Sequence, residues 1–208
     1  MNAASDGPVT GRQRSPRKAE AILKGARQEF LQRGFGAASM DRIAATAGVS
    51  KPTIYSHYGD KASLFRALTS WMVERRVADV FGPASPAALE PDQARKQLAQ
   101  LAERIVLVNE RHPEMLNFLR MVIGESGRFP DLAQGFVAEV QQRVLARLTQ
   151  ILAAMTDQPE LKARIFIGTL MHAILFENVL HGANLGPSCK QPLATLLVEL
   201  LTAPPKHH

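Results

Sequence analysis

Apolar residues recur along most of this chain at intervals of three and four, the spacing of a helix buried along one face. In residues 17–33 they are Ile22, Leu23, Ala26, Phe30 and Leu31. Gly34 is the expected stop, and Phe35 just beyond it is placed to fill a small helical core. A short face of Ile43, Ala44 and Ala47 follows. Leu64, Phe65, Leu68, Trp71 and Met72 then mark a long helix from Lys61 to about Phe81. The turn-rich stretch GPASPAALEP, residues 82–91, ends it. Leu98, Leu101, Ile105 and Val108 predict a helix reaching about Arg111, and Pro113 opens the next, which breaks at GESGRFPD, residues 124–131. Leu132, Phe136, Val140, Val144, Leu148 and Ile151 step by about four along another long helix. Pro159 opens a helix through Ile165, Leu170, Ile174 and Leu175 to about His181. Residues 182–192 read as loop, and Leu193, Leu196, Leu197, Leu200 and Leu201 complete the pattern. No segment alternates with the period of a strand, no repeat is present, and no heptad register is sustained. The expectation is an all-α fold of about nine helices, three small ones in an N-terminal head and the rest in a larger body.

Within the head, residues 39–61 carry the most chemistry. Ser39 is a candidate N-cap, with Asp41 in the first turn where the helix dipole favours an anion. Gly48 supplies the left-handed residue of a tight turn, Ser50 caps the next helix, and Pro52 sits in its first turn. That helix, residues 51–58, presents Lys51, Thr53, Tyr55, Ser56 and His57, with Ile54 and Tyr58 left to pack it against its neighbours. Side chains that donate hydrogen bonds or stack, on a short helix after a tight turn, are what a helix-turn-helix lays in the major groove. Asp60 then caps the long helix opened by Lys61, whose position and charge suit a phosphate. Ser39 and Arg42 are placed to meet the backbone from the preceding helix.

The stretch GVSKPTIYSHYGDKASLF resembles the signature of the TetR family of bacterial transcriptional regulators. Tyr55, His57, Lys61 and Leu64 match that signature in type and spacing, Tyr58 stands where Phe is usual, and Gly59 replaces a larger polar residue. The resemblance covers residues 17–70 and implies a homodimer that binds palindromic double-stranded operator DNA. Carried onto this chain, it puts base and backbone contacts at Lys51, Thr53, Tyr55 and His57. A weaker likeness, over LRMVIGESGRFPDLAQGF, is to the AcrR-like or AefR-like C-terminal domain of one regulator branch.

Charge divides in the way such a reading requires. Residues 1–61 hold ten Lys or Arg against five acids, a net +5 of the chain's +6. A basic head on a near-neutral body is the footprint of a DNA-binding segment attached to a part with another task. Arg12, Arg14, Arg17 and Lys18 are candidates for an arm reaching the minor groove or phosphates. A single cysteine, Cys189, excludes an internal disulfide framework, and no cofactor or metal site is expected. No apolar run has the length of about 20 residues needed to span a bilayer, which points to the cytoplasm. His207 and His208 read as the remnant of a purification tag.

The expected division is a disordered basic arm at 1–16, a DNA-binding head at 17–62, a ligand-binding and dimerisation body at 63–204, and a tail at 205–208. IFIGTLMHAILFENVL and the Leu-rich last helix are apolar on more than one face. Two such helices from each of two protomers would make a four-helix interface. In the body, Trp71, Phe118, Met121, Phe136, Leu175 and Phe176 are candidate pocket linings for a small-molecule inducer, with Val122 and Met171 beside them. Asn117, Arg120 and His172 are candidate polar anchors, together with Glu125 and Asn178. The function expected is a repressor released from its operator by a small hydrophobic ligand. Two other readings stay open on the sequence: a DNA-binding regulator with a solid body, and a small helical enzyme or carrier.

Overall fold

The computed structural model describes residues 15–82, 89–181 and 188–203, apart from the side chains of 108–111. Arg12, Arg14, the Val108 side chain, most of the 82–91 turn, most of the 182–192 loop and the two terminal histidines lie outside what is described. The described residues form nine helices and no strand. In chain order these are α1 (Pro16–Ala37), α2 (Met40–Thr46), α3 (Lys51–Tyr58), α4 (Lys61–Phe81), α5 (Pro91–Arg111) and α6 (Pro113–Glu125). Next comes α7, which runs from Pro130–Val140 through a wider π-helical turn, Gln141–Leu145, into Ala146–Leu152. The eighth, α8, is Pro159–Ile174 with a terminal π turn at Leu175–Val179, and α9 is Lys190–Thr202. Five of these helices open on proline, where the missing N–H would have had no partner and φ is already helical. The last helix starts at Lys190, inside the stretch expected to be loop.

Local signals set the head. Ser39 accepts from the Arg42 N–H, Ser50 from the Thr53 N–H, and Asp60 from the Ser63 N–H, so each of α2, α3 and α4 is capped by the side chain before it. Gly48 has φ 65°, the left-handed turn that separates α2 from α3. Gly25 lets α1 and α2 meet closely. A Cβ there would lie 3.1 Å from the Ala47 nitrogen and 3.2 Å from the Ile43 carbonyl oxygen. At Gly34 (φ 73°) α1 is interrupted, and Phe35 turns inward to 6% exposure.

Two apolar cores result. One joins Ile22, Ala26, Phe30, Phe35, Ile43, Ile54, Leu64, Phe65 and Leu68 of the head to Phe118 and Val122 of α6 and Leu132 of α7. The other, in the body, gathers α5, α7, α8 and α9 around Leu98, Leu101, Leu148, Phe166, Leu170 and Leu197. The first core therefore does not divide at residue 62: α6 and α7 complete what the three helices of the head begin. Phe118 is fully buried and stacks on Phe65 at 5.5 Å, while Phe65 meets Phe30 at 5.4 Å and Phe35 at 5.3 Å. Phe129 closes on Phe35 at 4.9 Å, and the Gly36 N–H donates to Glu125 Oε1 at 3.3 Å.

Lys61 corrects one expectation. Its ammonium does not stand out toward a phosphate but donates to the carbonyls of Phe35, Gly36 and Ala38 at 2.8, 3.1 and 2.9 Å, and lies 4.6 Å over the Phe35 ring. The break at Gly34 leaves these carbonyls without helical partners, and a cation at the first turn of α4 satisfies them. Partial burial pushes its pKa below the ordinary lysine value. Lys61→Met is thus expected to lower the unfolding free energy by about 2 kcal/mol in urea titration, since the carbonyls lose a charged donor. An unchanged midpoint would remove this role.

Candidate DNA-binding surface and ligand cavity

The surface of α3 follows from its sequence. Ile54 is the one fully buried residue of the helix, and Tyr58 turns toward α1, its hydroxyl donating to the Ala19 carbonyl at 3.4 Å. With those two directed inward, Lys51, Tyr55 and Ser56 are left exposed and Thr53 half-buried. Tyr55 is 42% exposed although it is a large ring on a short helix. Thr53 Oγ1 lies 2.8 Å from Ser50 Oγ, and the Ser56 hydroxyl donates to the Thr53 carbonyl at 2.8 Å, so both reinforce the helix start. Lys51 Nζ is held by Asp41 of α2 at 2.9 and 3.0 Å, and this carboxylate raises the lysine pKa. Both groups are about 60% exposed, so the pair is a weak surface contact that an incoming phosphate or base can replace. The His57 ring lies against Tyr58, with centroids 5.9 Å apart.

Arg42 is placed differently from the expectation. Its Nε donates to Glu29, which is only 4% exposed, and its Nη2 donates to the Ala37 carbonyl. Arg33 adds a second cation 3.5 Å from the same carboxylate. A carboxylate buried this far requires such partners, so Arg42 acts first inside the head. Ser39 likewise serves as the α2 cap. Besides Asp41 and the partly exposed Arg42 side chain, α2 and α3 therefore offer Lys51, Tyr55 and Ser56 outward, with Thr53 and His57 half-buried beside them.

The body contains a cavity of about 190 Å³ between α4, α5, α6, α7 and α8. Val77, Leu116, Leu119, Phe136, Val144 and Ile167 are among the residues of its wall, and Met171 also lines it. The π turn at 141–145 lies in this wall, between Val140 and Val144, where an extra residue widens the helix. One charged group reaches it, Arg76 of α4. Among the described residues the buried Arg76 Nε and Nη1 atoms have no hydrogen-bond partner, and Nη1 stands 3.5 Å from Asp79 Oδ2. Burial lowers the Arg76 pKa from its ordinary value.

Of the residues expected to form a ligand site, Phe136 and Met171 line this cavity. The others lie elsewhere. Phe118, Trp71 and Met121 pack in the core shared by head and body, with Arg75 over the Trp71 ring at 4.9 Å. Arg120 donates to the carbonyls of Asn178 and Val179 and to Asn117 Oδ1, closing the C-terminal end of α8 where the helix dipole favours a cation. His172 stacks on Phe176 at 4.6 Å on the outside, and Phe176 is 51% exposed. Leu175, at the start of the terminal π turn of α8, does not line the cavity. The sequence reading missed Arg76, Val77, Leu116, Leu119 and Ile167. A signal for the first existed: Val73, Arg76, Val77 and Val80 share one helical face of α4, so an arginine interrupts an apolar stripe.

Nucleophilic chemistry at Cys189 is disfavoured, because Sγ lies 3.4 Å from Glu177 Oε1 and this carboxylate raises the thiol pKa. No described helix is long and apolar enough to cross a membrane.

Two family profiles match the chain. Residues 22–68 match the bacterial regulatory proteins of the tetR family, and residues 96–183 match the C-terminal domain of AefR-like transcriptional repressors. Among curated proteins, the HTH-type transcriptional repressor SCO4008 of Streptomyces coelicolor is 32% identical over 107 residues, 51% of this chain and 50% of that protein. The HTH-type transcriptional activator FasR of Mycolicibacterium smegmatis is 42% identical over 59 residues, 28% of this chain and 27% of its own length. These alignments thus span half or less of the curated relatives. Solved structures match over nearly the whole chain. A TetR-family regulator from Mesorhizobium loti superimposes with a TM-score of 0.71 at 27% identity, covering 91% of this chain and 97% of that one. The flavonoid-responsive regulator FrrA gives a TM-score of 0.68 at 29% identity, with 90% and 96% covered. The family and these relatives are transcriptional regulators, not enzymes. With the helix-turn-helix head and helical body in place, this chain belongs to the TetR family of bacterial regulatory proteins.

Proposed function

We propose that this protein is a dimeric transcriptional regulator that binds a palindromic operator through α3 and releases it when a small apolar ligand enters the body cavity. The observation that carries this reading is a continuous run of rings. Phe136 lines the cavity and lies 6.2 Å from Phe118, Phe118 stacks on Phe65, and Phe65 packs on Phe30 and Phe35 beneath the recognition surface. The helix α4 contributes Leu64 and Phe65 to the head core and Val77 and Val80 to the cavity wall, so one rigid element touches both. A ligand that changes the seat of Phe136 therefore has a mechanical route to the head. It must bind the released state more tightly than the DNA-bound one, and a difference of about 1–3 kcal/mol gives 5- to 150-fold coupling. The likeness to a flavonoid-responsive regulator supports a ligand-gated reading.

A dimer is supported by the outer faces of α8 and α9. Ile165, Phe176, Leu196 and Leu200 are 51% to 66% exposed, four large apolar side chains on these two helices. Two copies joined there on a two-fold axis would present two α3 helices to one palindrome. Relatives include both a repressor and an activator.

Selection of random duplex DNA by the purified protein, followed by sequencing, tests the reading. A palindrome with two equivalent half-sites is the expected result, and recovery of unenriched sequence would overturn it. On the selected operator, Tyr55→Ala is expected to cost about 1–3 kcal/mol of binding and to relax the preferred sequence. Ser39→Ala should act mainly through helix stability. Leu200→Glu is expected to yield monomers by sedimentation velocity with the helical circular dichroism spectrum retained, and to lose cooperative operator binding. A titration in which ligand and operator bind independently would contradict the coupling.

A further inference from the structure

The ligand-response reading leaves the chemistry of the ligand open, and one group in the cavity narrows it. Arg76 keeps its proton at any physiological pH, so its charge persists inside the fold. A buried charge is normally matched by close partners, as the Glu29 carboxylate is matched by Arg42 and Arg33 in the head. Arg76 is not matched in this way. Its side chain is only 16% exposed, and Nε and Nη1 make no hydrogen bond among the described residues. Asp79 stands 3.5 Å away on a side chain that is 53% exposed, and Glu114 contributes charge from α6 while pairing with His112 at 3.5 Å.

The surroundings of Arg76 have two characters. On one side is the apolar cavity, walled by valine, leucine, isoleucine and phenylalanine. On the other is a polar cleft between α4 and α5 that contains Gln100, Glu103, Arg104 and His112, and Arg76 borders both. A cation at the junction of a polar mouth and an apolar chamber suits a ligand with one anionic end and an apolar body. A dianion or a sugar phosphate would leave its remaining polar atoms unsatisfied against the apolar wall. A neutral hydrocarbon would leave Arg76 as it is.

We propose, resting on the ligand-gated reading, that the effector is a small apolar monocarboxylate whose carboxylate pairs with Arg76 and whose tail fills the chamber beside Phe136. A cavity of about 190 Å³ is close to the size that accepts a benzene ring, about 150 Å³, so one ring or a medium-length chain fits. A charge-assisted pair in so dry a site gives the acid an advantage over its neutral analogue.

The test is calorimetric titration of the full-length protein with sodium octanoate and sodium 3-phenylpropanoate, and with 1-octanol and 3-phenylpropan-1-ol. Wild type is expected to bind at least one acid about tenfold or more tightly than its matched alcohol. Arg76→Gln should bring that ratio near one while leaving the alcohol's affinity within about threefold. Val140→Phe, which fills the chamber, should weaken acid and alcohol together. The wild-type comparison stands even if Arg76→Gln folds poorly. Acid and alcohol binding equally to wild type would overturn the carboxylate inference and leave the ligand-gated reading intact, as would an acid preference that survives Arg76→Gln. Binding of none of the four probes would overturn the inference, while ligand gating itself fails only if the operator complex is indifferent to neutral and anionic compounds alike.

Discussion

The stack of Phe118 on Phe65 is the contact on which the rest of this structure depends. A three-helix head of this size has too little interior to hold a stable core alone, and most of its buried surface would be edge. Here α6 inserts a fully buried ring into that core, and α7 adds Leu132. The head is thereby not a bead on a linker. Its orientation is set by the same packing that closes the body. Because packed interiors resist continuous deformation, the proposed coupling would act by repacking Phe118 when Phe136 is displaced. This is a physical basis for two discrete arrangements in place of a graded one.

The polar groups fall into two kinds, and the contrast separates structural charge from available charge. Lys61, Arg42 and Arg120 were plausible binding residues by type and position, yet each has its donors occupied by carbonyls or a buried carboxylate. Each stands where a helix ends or breaks, which is where unsatisfied backbone oxygens accumulate. Arg76 has the same chemistry without such partners, and it borders the cavity. Lys51 lies between these cases: its partner Asp41 is as exposed as it is, so the pair is exchangeable.

Most of the fold was legible in the sequence, because helix periodicity, caps and prolines are local signals. The caps at Ser39, Ser50 and Asp60, the turn at Gly48 and the helix starts at Pro113 and Pro159 appear where the residues place them. Tyr55 outward and Ile54 inward follow from the same short pattern. The site was less legible where it depends on contacts distant in sequence. Nothing local to Lys61 announces that a break 27 residues earlier leaves carbonyls needing a donor. Trp71 and Phe118 have the composition of pocket walls, and only the packing of α6 against the head assigns them to a core. The wider π turn at 141–145 has no sequence signature, yet it shapes the wall beside Val140 and Val144.

The shared core is tested most directly by native-state amide hydrogen exchange across a series of low urea concentrations. If α6 completes the head, the most protected amides of α1 and α4 and those of α6 around Phe118 should open with the same free energy and the same urea dependence, as one cooperative unit. Amides of α1 and the head end of α4 that opened at lower free energy, with α6 still protected, would show the head to be an independent module. The route from cavity to recognition helix would then have no physical basis.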